Sequence, residues 1–211
     1  MARCVIVSAC PVSSALAEQL RADDFIIACD AGYKNCVQLG RKPNIVVGDF
    51  DSAPCPAQED DDIVVLPHVK DDTDTEYAAK LAVEKGFMEV LLLGALGGRR
   101  MEHTLANLCT GLGLEEKGIR ATLLDEQSRV TYVLPGEKRT YPKERYFYIS
   151  VFPMEGRAEG VCERGSFYEL TDAVLTAGYP LGVSNEYAEG SSEMTISTRK
   201  GALVVVETVA D

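Results

Sequence analysis

Asp49 and Asp51 flank Phe50 in the segment Val47-Gly48-Asp49-Phe50-Asp51-Ser52. The stretch reads as the end of a buried strand running into a loop. On extended backbone an i,i+2 pair points both side chains the same way, so the two carboxylates could share one cation. A turn in which Asp bonds the nearby backbone is the plain alternative. Gly48 favours the ligand reading, because a residue without Cβ lets a ligand come close. Further on lies a second acidic cluster, Lys70-Asp71-Asp72-Thr73-Asp74-Thr75-Glu76, at an expected helix start. Hard cations such as Mg2+ take carboxylate and water oxygens and in turn hold phosphate oxygens. A helix N-terminus favours phosphate as well. Thr73 or Asp74 could equally serve as the N-cap, and the two uses are compatible. Lys70 is either a phosphate contact or an exposed lysine.

Three further segments carry chemistry. Cys29-Asp30-Ala31-Gly32 follows a strand, so Asp30 is a helix N-cap or a third carboxylate at the same sheet edge. Gly94-Ala95-Leu96-Gly97-Gly98-Arg99-Arg100-Met101-Glu102-His103 is a glycine-rich loop between a strand and a helix. It is neither a P-loop nor a dinucleotide fingerprint, but its two guanidinium groups suit phosphate oxygens. His103 falls in the first helical turn, where capping or packing competes with a ligand contact. Gly182-Val183-Ser184-Asn185-Glu186 reads as a turn by itself.

The elements that must position these residues fall into two halves. Strand-like runs at Cys4–Val7, Phe25–Ala28, Ile45–Val47, Ile63–Leu66, Glu89–Leu93 and Arg120–Leu124 alternate with helical stripes. One stripe is Tyr77, Ala78, Leu81 and Ala82, with Glu76 and Lys80 spaced as an i,i+4 pair. Another is Leu105, Leu108, Cys109 and Leu112, stopping at Lys117-Gly118. Alternation of this kind implies a mostly parallel sheet covered on both faces. Past Asp125–Arg129 the strand-like runs are Val130–Leu134, Tyr146–Phe152, Met194–Thr198 and Ala202–Glu207, with Arg199-Lys200-Gly201 signalling a hairpin between the last two. The expected organisation is an α/β nucleotide-binding domain over residues 1–126 and an all-β, antiparallel, sandwich-like domain over 127–211. The run Glu59-Asp60-Asp61-Asp62 reads as a solvated loop.

A formal net charge of -12 argues against a nucleic-acid or anionic-membrane partner. It leaves room for a metal-screened nucleotide and for a cationic small molecule. Seven cysteines without a C-x-x-C, and two histidines, argue against a zinc site. Thiols inside apolar runs suit a reducing cytosol. The first apolar run is too short for a signal peptide, and no stretch is long enough to span a bilayer.

Taken in order, Asp30-Ala31-Gly32, Gly48-Asp49-Phe50-Asp51-Ser52, Lys70-Asp71-Asp72-Thr73-Asp74, Gly97 to Asn107, Gly182-Val183-Ser184-Asn185-Glu186 and Gly201 to Val206 resemble the thiamine pyrophosphokinase family along the whole chain. The resemblance implies transfer of pyrophosphate from Mg-ATP to the hydroxyl of thiamine, with release of AMP. It also implies a homodimer with thiamine between the N-terminal domain of one subunit and the C-terminal domain of the other. Carried over, Asp30, Asp49, Asp51 and Asp74 are the metal and phosphate carboxylates, and Ser184 and Asn185 meet thiamine. Gly32, Lys70, Thr73, Arg99, Arg100, Glu102 and His103 complete the expected binding set, and Asp71 or Asp49 could accept the hydroxyl proton. Ala31 stands where a second Gly is usual and Glu102 where Asp is usual. The Gly98–His103 segment is one residue longer than in many members, which leaves Arg99 and Arg100 as alternatives for the family arginine.

Two other readings use the same residues. A Mg2+-dependent phosphohydrolase with an aspartyl nucleophile would place its D-x-D after the first strand, whereas here it follows the third. A nucleotide- or metal-sensing module would bind without turnover.

Overall fold

The computed structural model describes residues 2–49, 62–65 and 72–210. Asp51, Lys70, Asp71, Leu66 and the run Glu59-Asp60-Asp61 lie outside the described residues. The chain divides into two compact units, Met1–Glu126 and Gln127–Asp211.

In the first unit, β1 (Cys4–Val7), β2 (Phe25–Cys29), β3 (Ile45–Gly48), β4 (Asp62–Val65), β5 (Glu89–Leu93) and β6 (Arg120–Leu124) run in the order β4-β3-β2-β1-β5-β6. Every adjacent pair is parallel. Helices α1 (Gly32–Gln38), α2 (Asp74–Glu84) and α3 (Met101–Glu116) make the crossovers, with a short 3-10 turn at Ser14–Gln19. Residues of β1, β2, β3 and β5 are almost wholly buried, because a sheet covered on both faces has no solvent side. Their continuous apolar runs follow from that. The strand order reverses direction between β1 and β5, and such a switch point opens a crevice at the carboxyl ends of the strands.

The helix faces depart from the hydrophobic stripes. On α2 the buried residues are Thr75, Ala78, Ala79 and Ala82, while Tyr77 and Leu81 are half-buried. Lys80 reaches Asp72 at 2.7 Å, and Glu76 accepts from Thr110 Oγ1 at 2.7 Å. On α3 the expected stripe holds only in part: Leu108 and Leu112 are half-buried, Leu105 and Cys109 are exposed, and Asn107, Thr110, Gly111, Leu114 and Glu115 are buried. The inner face is polar because each polar group has a partner. Asn107 Nδ2 donates to Ala95 O, Thr110 to Glu76, and Glu115 Oε1 accepts from Ala121 N. The stop at Lys117-Gly118 holds, with Lys117 the C-cap and Gly118 at φ +77°.

The second unit is a sandwich of two antiparallel sheets. One has the order β12 (Asn185–Glu186), β9 (Tyr148–Pro153), β14 (Leu203–Thr208), β7 (Ser128–Val133). The other has β11 (Leu170–Thr176), β10 (Arg157–Arg164), β13 (Glu193–Ser197), β8 (Lys138–Pro142). Val133, Ile149, Val151, Leu203 and Val205 from one sheet share a core with Tyr141, Ala158, Val161, Leu175, Met194 and Ile196 from the other.

The expected hairpin at Arg199-Lys200-Gly201 does not form. Its flanking strands β13 and β14 belong to different sheets, so the turn is a crossing between layers. Thr198 Oγ1 donates to the carbonyls of Lys200 and Gly201. The Arg199 and Lys200 amides bond Glu159 O, and Glu159 N bonds Lys200 O. Gly201, at φ +80°, lies where a Cβ would meet Arg157 O at 2.3 Å. The turn is therefore bound to β10 and cannot fold back on its own strand. Among the described residues no helix is long and apolar enough to cross a membrane.

Candidate active site

A cavity of about 450 Å3 lies in the first unit at the carboxyl ends of the strands. It is lined by the loops after β1 (Ser8, Ala9, Cys10, Pro11), β2 (Cys29 to Ala31), β3 (Asp49) and β5 (Gly94, Gly98 to Arg100). The start of α2 (Thr73 to Thr75) and His103 and Asn107 of α3 complete it. Asp30, Asp49 and Asp74 thus share one cavity with two arginines.

Local sequence explains each placement. Asp30 ends β2 in the left-handed region, φ +46°, where Asp is tolerated better than most residues. Its amide donates to Val47 O at 2.8 Å, tying the end of β2 to that of β3. Gly48 permits this approach, since a Cβ there would lie 3.2 Å from the Asp30 Cα. Thr73 is the N-cap of α2 and accepts from Glu76 N at 3.1 Å. Asp74, the first helical residue, is not the cap, and its position at the cavity wall follows from that. Asp30 is not the cap of α1 either, a place taken by Ala31.

Buried ties hold the walls. Ser8 Oγ and Thr75 Oγ1 are 2.8 Å apart and join the end of β1 to the start of α2. Asn35 Nδ2 donates to both Ser8 O and Cys10 O at 2.8 Å. Gly94 sits against the same knot, where a Cβ would lie 2.5 Å from Ser8 O. Thr104 Oγ1 and Cys10 Sγ both donate to Gly97 O. Desolvation by burial pushes the Cys10 thiol above its ordinary value, and the Cys29 thiol well above, with Asp74 adding to the latter.

The expected residues separate into groups. Asp30, Asp49, Thr73, Asp74, Arg99, Arg100 and His103 line the cavity. Gly32 is buried behind them, and a side chain there would meet Val7 O at 2.0 Å, so its glycine serves the packing of α1 on β1. Glu102 is exposed and accepts from Arg100 Nε at 2.7 Å, which holds its carboxyl below the usual range. Asp51, Lys70 and Asp71 lie outside the described residues. The Ser8–Pro11 loop and Asn35 escaped sequence reasoning, and Thr75 and Asn107 fell inside its motifs without a role assigned. The only signal of the first was a short run of small residues ending in Pro directly after a strand.

Ser184 and Asn185 belong to the second unit. Ser184 has φ +55° and donates its amide to Ser150 Oγ at 2.9 Å. Asn185 is buried; its Nδ2 donates to Glu163 Oε2 (2.7 Å) and Tyr168 O (2.8 Å). Its Oδ1 accepts from the amides of Tyr168 and Glu186, each at 3.0 Å. Asn185 therefore shapes the turn carrying Phe167 and Tyr168, two aromatic side chains left largely exposed. Sequence reasoning missed that pair.

The donor set suits Mg2+, being carboxylate oxygen without thiolate or imidazole clusters. Among the described residues no three such groups converge tightly enough to hold a metal alone. A Mg2+ here would complete its shell with phosphate and water oxygens, as this ion commonly does.

A switch-point cavity walled by carboxylates, guanidinium groups and a glycine-rich loop is the make-up of an enzyme that handles phosphate esters. Comparison with known proteins agrees. A family model described as thiamin pyrophosphokinase, catalytic domain, matches residues 16–123, and one described as its vitamin B1 binding domain matches 139–203. The thiamine pyrophosphokinase of Bacillus subtilis (strain 168) is 29% identical over 190 residues, 85% of each chain. The crystal structure of the B. subtilis thiamine pyrophosphokinase superposes with a TM-score of 0.87 at 25% identity, covering 99% of this chain and 100% of that one. The enzyme of Geobacillus thermodenitrificans gives 0.86 at 28% identity, covering 99% and 98%. The chain belongs to the thiamin pyrophosphokinase family, ATP-dependent diphosphokinases that transfer pyrophosphate from ATP to thiamine.

Proposed function

We propose that the chain performs this transfer with a Mg2+-bound triphosphate in the first unit and thiamine held by the second. Asp30, Asp49, Asp51 and Asp74 are the residues that would hold Mg2+, which when bound neutralises part of the triphosphate charge. Arg99 and Arg100 orient the phosphates, and Thr73, Lys70 and the α2 N-terminus supply further donors. The thiamine hydroxyl attacks the β-phosphorus, Asp49 or Asp71 takes its proton, and AMP leaves. Transfer of this kind is mostly positioning plus electrostatics, so no covalent intermediate is required. Ser184 and the exposed Phe167 and Tyr168 form the thiamine surface, with buried Asn185 holding it from beneath, and an aromatic face suits a cationic ring. The working form is a cytoplasmic homodimer with sites shared between subunits and without a nucleic-acid partner.

The observation that supports this reading most is the sharing of one cavity by Asp30, Asp49, Asp74, Arg99 and Arg100. Incubation with Mg-ATP and thiamine tests it: thiamine diphosphate and AMP must appear together, and AMP must need thiamine. ADP as product, or a trapped phospho-aspartate, contradicts it. Mixing an Asp51→Asn chain with a Ser184→Ala/Asn185→Ala chain tests the shared sites, since heterodimers must regain activity.

A further inference from the structure

Glu163 is a carboxylate where a sandwich core should be apolar. It is 0% exposed on β10, level with Leu170 of β11 and Ile196 of β13. Its Oε2 accepts from Asn185 Nδ2 at 2.7 Å, and its Oε1 has no hydrogen-bond partner among the described residues. Asn185 in turn bonds both the amide and the carbonyl of Tyr168, and Phe167 N donates to Glu186 O at 2.7 Å. One carboxyl group thus sits beneath the whole Phe167–Tyr168 turn, and the exposed aromatic surface hangs on it.

We propose that Glu163 is a positioning residue for thiamine: its uncharged carboxyl holds Asn185, and through it the Phe167–Tyr168 turn, in the receiving geometry, and its ionisation releases that geometry. This rests on the reading of the Ser184–Asn185 face as the thiamine surface. Burial pushes the carboxyl up to about 7, with the Asn185 hydrogen bond opposing. The charged and titratable groups of the surrounding elements do not neutralise it: Arg139 of β8, level with Ile196, is paired with Glu137 at 3.4 Å. Glu207 on β14 is bonded by Arg129 of β7. Tyr187 donates to Pro142 O, and the Tyr141 hydroxyl pairs with Thr131 Oγ1. On β10 itself, Arg164 spends Nη1 on the carbonyls of Glu163 and Leu170. An ionised Glu163 has one oxygen without a donor. Its relief is to reach water, which means leaving Asn185.

The test is the pH profile of the thiamine KM from pH 6 to 8, with kcat and the ATP KM followed alongside, in wild type, Glu163→Gln and Glu163→Leu. In wild type the thiamine KM rises up to about tenfold, the factor by which ionisation at about pH 7 depletes the competent form at pH 8. Glu163→Gln keeps the acceptor for Asn185 and gives a flat, low KM. Glu163→Leu deletes that acceptor and gives a raised KM at every pH. In all three the ATP KM stays unchanged, which a general loss of fold would not allow. Tyr168→Ala separates the two layers of the argument. An unchanged thiamine KM in Tyr168→Ala overturns the thiamine surface itself, and the role of Glu163 with it. A raised KM there, with Glu163→Gln rising with pH as wild type does, overturns the role of Glu163 alone.

Discussion

The carboxylates that line the first unit's cavity and those sealed in the second unit's core are treated in opposite ways. In the first, Asp30, Asp49 and Asp74 stand at strand and helix ends and line a cavity. In the second, Glu163 and Glu207 are fully buried inside a sandwich. Acidic groups at a cavity wall are placed to meet a ligand and are available for chemistry. Acidic groups in a core must be neutralised by a partner or by a proton. Glu207 has Arg129 as partner, through Nε and through Nη2 at 2.7 Å, with Glu144 completing the group. Glu163 has only a neutral amide. Substitutions at the two sets should therefore read out differently, through activity at the cavity carboxylates and through pH-dependent stability at the core ones.

The sharpest test of that division is Asp49→Asn. It should lower kcat/KM by a hundredfold or more, about 3 kcal/mol of transition-state stabilisation, while the unfolding midpoint stays put. A loss of stability matching the loss of activity would erase the contrast between the units.

Arg129→Met probes the opposite corner. It leaves Glu207 in the core without its cation, a defect of about 3–5 kcal/mol. Urea denaturation at pH 8 should report this loss. The loss should shrink towards acid pH, because burial already raises the Glu207 carboxyl despite Arg129. Arg129→Met/Glu207→Gln should recover part of it. An Arg129→Met protein as stable as wild type would mean that the pair is no better than an apolar contact.

Legibility in sequence followed the same division. β1, β5 and β6 agree residue for residue with their apolar runs, since burial on both faces leaves nothing to interrupt the pattern. The cavity carboxylates Asp30, Asp49 and Asp74 were visible because they cluster at strand and helix ends. What was hidden is burial by partnership. Arg157–Arg164, the longest strand among the described residues, carries charges and a bulge around Gly160 that break its alternation, so β10 was missed altogether. The inner face of α3 was read only in part, because hydrophobicity cannot show that Asn107, Thr110 and Glu115 have acceptors and donors waiting. The hairpin failed for the same cause: Arg199-Lys200-Gly201 bonds to β10, a strand remote in sequence.

Glu163→Gln refines the comparison within the second unit. The folded-state value of about 7 lies above the ordinary 4.5. The acid form is therefore favoured by folding, and stability is lost as pH rises from the unfolded to the folded value. Above pH 7 the cost is complete, up to about 3 kcal/mol. Glu163→Gln should thus be more stable than wild type at pH 8 and equal to it near pH 4.5. Identical melting at both pH values would mean that Glu163 is stably accommodated as an anion.

The smallest effect is expected at Glu102, which tests whether an exposed acidic residue at the edge of the first unit's site contributes through charge alone. It sits in the first turn of α3, fully at the surface, where it pairs with Arg100 at 2.7 Å. An exposed pair of this kind adds little to a fold, so Glu102→Gln should melt with wild type. Thiamine carries a fixed positive charge, which an exposed carboxylate nearby attracts through solvent. Solvent screening and competition from Arg100 leave only a small part of this, so the thiamine Kd should rise a few-fold while the ATP Kd holds. That difference should narrow in high salt, because an exposed charge is screened within a Debye length of about 10 Å at 0.1 M. Calorimetry at two salt concentrations reads both. If thiamine binds Glu102→Gln as it binds wild type in low salt, Glu102 serves only the start of α3 and its pairing with Arg100. The charge that thiamine meets would then come from the carboxylates inside the cavity.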